Sequence, residues 1–177
     1  MLTIDAAASA LLLIDFQVKL MPVIDQAATT IANARRLLDA ASILGVPTVF
    51  TEQNAKRLGP TVPELAPAPS LIVHKMAFDA CRKPDLLPRL TEGHSLVVAG
   101  WEGHICVLQT VLGLLEMGRQ VFVVRDAIGS RRAESKETAL RRMECHGAGV
   151  VTTEMAIFEW LETAEHPRFR EMAALIK

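Results

Sequence analysis

The sequence predicts a three-layer α/β/α domain built on a six-stranded, mainly parallel sheet. Apolar runs of strand length alternate with segments whose apolar residues recur at helical spacing. Half of the 177 residues are hydrophobic, as strands covered on both faces require. No repeat, low-complexity tract or linker divides the chain, so residues 1–177 are expected to form a single domain.

Each element has its own signature. LLLID (11–15) is a continuous apolar run that ends in a carboxylate. Residues 25–44 then place Ile31, Ala34, Leu37, Leu38, Ala41 and Leu44 on one helical stripe, with Gly45 as the stop. PTVFTE (47–52) and SLIVHK (70–75) read as strands two and three. The Pro-rich stretch QNAKRLGPTVPELAPAP (53–69) between them is long for a compact domain, which suggests a functional or interacting loop.

SLVVAG (95–100) is the fourth strand, and Ile105, Leu108, Leu112 and Leu115 mark the buried stripe of the helix after it. QVFVVRD (120–126) is the fifth strand, a charged helix spans roughly 134–146, and GVVTT (149–153) is the sixth strand. Two helical pieces close the chain around Pro167. Strand–helix alternation of this kind gives parallel crossovers and the doubly wound, Rossmann-like order 3-2-1-4-5-6.

Composition excludes several classes. A net charge of −1, with six Phe, two Trp and no Tyr, supplies neither a basic patch nor a stacking platform for nucleic acid. The apolar N-terminal run is interrupted by Asp5 and Asp15 and is too short to span a membrane, so a soluble chain is expected. Cys81, Cys106 and Cys145 follow no disulfide or zinc spacing, which favours reduced thiols and a cytoplasmic location.

In open parallel sheets, ligands gather at the carboxyl ends of the strands. Those ends carry Asp15, then Glu52, Gln53 and Asn54, then His74 and Lys75, then Gly100 to Cys106, then Asp126. An acid, a cation and a thiol at neighbouring ends have a chemical logic. The carboxylate can take the thiol proton, while an ammonium and a helix N-terminus favour the thiolate. The plainer readings stand beside it: Cys81 and Cys145 as structural thiols, Asp126 as a cap, His74 as packed or solvated, and Arg131 with its neighbours as solvated charges. For Asp15, Lys75 and Cys106, spacing alone leaves both readings open.

LLLIDFQ (11–17), IVHKMAF (72–78) and above all GWEGHICVLQT (100–110) resemble the isochorismatase-like cysteine hydrolase superfamily, which includes the nicotinamidases. TEQNAKRLGPTVPEL (51–65) and VVTTEMAIFEWL (150–161) resemble its isochorismatase domain-containing or YcaC-like branch. The resemblance implies Cys106 as nucleophile, Asp15 as base and later acid, and Lys75 as the supporting cation. It implies a cis Trp101–Glu102 peptide that aims the Glu102 N–H, with that of Cys106, at an oxyanion. Phe16, Gln53, Phe78 and Trp101 become candidate pocket residues.

Nicotinamidases of this superfamily hold a metal through an Asp-x-His pair after the second strand. Glu52, Gln53 and Asn54 stand there instead, so no metal and no cofactor is expected. The implied activity is hydrolysis of a small amide, imide or related C–N carbonyl compound through a Cys106 thioester, by a homo-oligomer. The alternatives are a non-catalytic interaction protein that uses the 53–69 loop, or a redox-responsive thiol protein.

Overall fold

A computed structural model describes residues 2–177. Its core is a six-stranded sheet of order β3-β2-β1-β4-β5-β6, with every neighbouring pair parallel. The strands are β1 (Ser9–Ile14), β2 (Thr48–Gln53), β3 (Ile72–Lys75), β4 (Ser95–Trp101), β5 (Val121–Gly129) and β6 (Gly149–Val151). The fold class and strand order are those expected from the sequence. β5 runs three residues past its anticipated end, while β6 stops early because Thr152 turns to cap the next helix.

The two faces of the sheet are covered by different helices. Helices α1 (Ala27–Leu44), α5 (Thr153–Leu161) and α6 (Phe169–Ile176) share one apolar cluster with Leu11, Leu13, Val97 and Ala99. Helices α3 (Leu108–Glu116) and α4 (Ala133–Cys145) share the other, with Leu12, Ile14, Leu96 and Val98. The split follows from the strand's period of two. A short helix, α2 (Ala55–Leu58), lies in the 53–69 loop. Among the described residues, no helix is long and apolar enough to cross a membrane.

β1 and β4 lie side by side at the centre of the sheet, where the strand order reverses. Open α/β sheets bind their ligands at this switch point. The approach is close: a Cβ on Gly100 would lie 2.5 Å from the carbonyl oxygen of Ile14, so only glycine fits beside the end of β1.

The helix after β4 departs from its expected register. Residues Gly103–Val107 form a π turn before α3 begins, and the fully buried face is Val107, Val111 and Leu114. Ile105, Leu112 and Leu115 are only partly buried. The expected stripe thus sits about one position late: Leu108 is buried, but Val111 and Leu114 face the core in place of Leu112 and Leu115.

Candidate active site

Asp15 follows the last residue of β1 with φ of 52°, a left-handed conformation that Asp and Asn tolerate better than most residues. Its side chain is fully buried and both oxygens are engaged. Oδ1 accepts the Thr51 hydroxyl at 2.6 Å, and Oδ2 accepts Lys75 Nζ at 2.6 Å. The Lys75 ammonium gives its other protons to the carbonyls of Ala77 and Phe78, each at 3.2 Å. Three donors meet three acceptors, which is how a charge survives burial at the end of β3.

Cys106 lies in the π turn and is 6% exposed. Its thiol feels the charges of both Asp15 and Lys75, so the structure brings the three residues together from the ends of β1, β3 and β4. Burial, and next the negative charge of Asp15, push the thiol up to about 12; Lys75 opposes this without prevailing. The resting group is therefore a protonated thiol beside a carboxylate, in place of the thiolate that the strand-end charges suggest.

A titration checks this. The alkylation rate of Cys106 by a small electrophile should show no inflection between roughly pH 7 and 10, whereas an ordinary thiol of pKa about 8.5 inflects there. An inflection at or below that value would mean that a thiolate already exists at rest.

The residues expected to line a pocket separate into two groups. Phe16 and Trp101 do not line one. They are 1% and 0% exposed, their rings pack at a tilt of 53° with centroids 5.1 Å apart, and both belong to the cluster under α1. Trp101 takes the same side as Val97 and Ala99 along β4, and its Nε1 donates to the Thr30 hydroxyl of α1 at 2.9 Å. Phe78 is half exposed, and Gln53 reaches the carbonyl of Met76 at 3.4 Å.

The Trp101–Glu102 peptide is not cis: no peptide among the described residues is. The chain leaves β4 through Glu102 itself, at φ −21° and ψ 98°. The Glu102 carbonyl then closes the turn by accepting the N–H groups of Ile105 at 2.9 Å and Val107 at 3.4 Å.

Other polar residues complete the frame, and little in their sequence context singles them out. Buried Gln17 donates to the carbonyl of Gly59 at 2.7 Å and accepts the N–H of Gln53 at 2.8 Å. Glu52 accepts both the N–H and the hydroxyl of Thr61, at 2.7 and 2.9 Å, and its other oxygen is 3.4 Å from exposed His74. These bonds pin the 53–69 loop over the strand ends. A polar side chain inside a strand-end motif, as in LLLIDFQ, was the available signal for Gln17. Glu102 and Arg131 form an ion pair at 2.9 Å, so Arg131 is not merely solvated.

Among the described residues, no three His, Cys, Asp or Glu side chains converge as a metal site. Asp126 caps α5 by accepting the N–H and hydroxyl of Thr153. Cys81 is buried, with Sγ 3.7 Å from the carbonyl of Thr110, whereas Cys145 is exposed. A cleft of about 750 Å³ opens beside β3, walled by Lys56, His74, Met76, Arg82 and Lys83. It reaches the trio at Lys75; neither Asp15 nor Cys106 lines it.

Fold and site together define a doubly wound α/β protein with a buried acid–ammonium–thiol cluster at its switch point. Residues 9–155 match the model of the isochorismatase domain, and the chain belongs to this isochorismatase-like hydrolase family. Isochorismatase domain-containing protein 2 of Danio rerio is 36% identical over 176 residues, covering 98% of this chain and 89% of the relative. A Caenorhabditis elegans structure described as MAR1 ribonuclease superposes with a TM-score of 0.89 at 38% identity, covering 98% and 92% of the two chains. The YcaC gene product of Escherichia coli, described as an octameric hydrolase of unknown specificity, gives a TM-score of 0.91 at 26% identity, covering 99% and 90%.

Proposed function

We propose that this protein is a metal-independent cysteine hydrolase that cleaves a small amide, imide or related C–N carbonyl compound. The observation that carries the reading is the convergence of the buried Cys106 thiol with the Lys75–Asp15 ion pair, closed at 2.6 Å, whose two charges both act on the sulfur. Cys106 Sγ attacks the carbonyl carbon as Asp15 takes the thiol proton. The C–N bond then breaks, and Asp15 returns the proton to the departing amine. Asp15 next deprotonates a water that hydrolyses the thioester, and the proton goes back to the thiol as the acid is released. The Glu102 and Cys106 N–H groups are assigned to the oxyanion.

Metal independence is supported by the donors after β2: the Glu52 carboxylate is committed to Thr61 and faces His74, and Gln53 and Asn54 are neutral. An octameric hydrolase among the similar structures supports a homo-oligomer. The proposed location is cytoplasmic, with no disulfide among the three cysteines.

The test is a library of small amides and imides, read by intact mass for an acyl adduct, with Cys106→Ser as control. Adducts on the wild type at Cys106, absent from or slower to clear in the variant, are expected. Full turnover by the variant would remove Cys106 from the mechanism. RNA belongs in the same screen because one similar structure is described as a ribonuclease. Cleavage that survives Cys106→Ser would favour that second substrate class.

A further inference from the structure

Glu102 carries an unexplained oxygen. Its side chain is 5% exposed, and Oε1 accepts Arg131 Nε at 2.9 Å. Oε2 is buried and has no hydrogen-bond partner. Buried carboxylate oxygens are normally satisfied, because leaving one bare forfeits its hydration with nothing in return. Arginine could have closed the pair in a two-pronged fork, yet only Nε is used and the rest of the side chain lies largely in solvent.

The location gives the open oxygen a meaning. Glu102 starts the π turn that holds Cys106, and its carbonyl closes that turn. Arg131 follows the end of β5. Asp15 and Lys75 approach Cys106 from β1 and β3, whereas Glu102 and Arg131 stand on its β4–β5 flank. Glu102 stands four residues before Cys106 at the start of the same turn, so the open acceptor belongs to the segment that carries the thiol.

We infer that the Glu102 carboxylate, held by Arg131, is a specificity residue that accepts a hydrogen bond from an N–H of the substrate. This rests on the proposed cysteine mechanism and narrows its substrates to compounds that keep an N–H, in preference to esters and fully substituted amides. A site built around such a bond rejects the analogue that lacks the donor, because the buried acceptor is then left bare.

Acrylamide and methyl acrylate are suitable probes: they are similar in size, and only the first offers an N–H. In either case the thiol sulfur bonds the β-carbon, the C=C π pair moves to the α-carbon, and the thiol proton ends there. Rates of Cys106 modification would be read by intact mass and divided by the rates with glutathione. The wild type should prefer acrylamide, and Glu102→Gln should reduce that ratio about tenfold. Glutamine keeps an oxygen for Arg131 and replaces the open acceptor with a donor. Arg131→Lys, which loosens the carboxylate without removing charge, should lower the ratio too.

An unchanged ratio in both variants overturns the inference, including the case in which an ordered water satisfies Oε2. If wild-type Cys106 reacts with neither probe, the cysteine mechanism fails and the inference falls with it. Normal reactivity without N–H discrimination sinks the inference alone.

Discussion

Asp15→Asn should lower turnover by about 10²- to 10⁴-fold while making Cys106 easier to ionise. The two effects have opposite signs for one reason. The Asp15 carboxylate is the proposed proton acceptor, and its negative charge is the second-largest influence holding the thiol up. Asparagine keeps the shape and tolerates the left-handed backbone at φ of 52°. It cannot take a proton, and it leaves Lys75 as the charge facing sulfur. The alkylation profile of Cys106 should therefore shift to lower pH as hydrolysis collapses. If both quantities fell together, or hydrolysis persisted, Asp15 would not be the base.

Lys75→Met should reduce stability by about 3–5 kcal/mol, measured by urea denaturation. The Lys75 and Asp15 side chains are 0% and 1% exposed, so removing the ammonium strands a carboxylate where water cannot solvate it. The carbonyls of Ala77 and Phe78 lose their donor in the same step. The double variant Lys75→Met, Asp15→Asn should recover a substantial part of the loss, since no buried charge then remains. Additive losses in the double variant would show that the pair is not coupled. The thiol in the Lys75 variant should titrate higher still, because the one influence lowering its pKa through charge is gone.

Much of this architecture is legible in the sequence because central strands announce themselves. LLLID and SLVVAG have no polar residue between their first and last positions, and ligands gather just beyond the carboxyl end of such strands. Asp15, Lys75 and Cys106 are visible as strand-end residues; their mutual approach is not, because it depends on how the chain turns beyond each strand, such as the left-handed Asp15 and the wide turn at Cys106. Trp101 is misplaced by its position after Gly100, which suggests the site. Counting by twos from Val97 through Ala99 puts it in the opposite layer.

Two features leave no local trace. The preference of the thiol for its proton depends on how deeply the fold buries it, which no spacing reports. The Glu102–Arg131 pair joins residues 29 positions apart at the ends of adjacent strands, and either alone looks like ordinary surface charge.

The wide turn at Gly103–Val107 makes the number of residues there as consequential as their identity. Each residue advances an ordinary helix by about 100°, so removing one to restore regular winding would swing the sulfur to another bearing. The segment's length is therefore a fixed gauge, alongside the glycine that opens it, where a Cβ would lie 2.6 Å from Ile128 Cγ2. A relative that is one residue shorter here would keep the cysteine in its sequence and lose the bearing that the proposed mechanism needs.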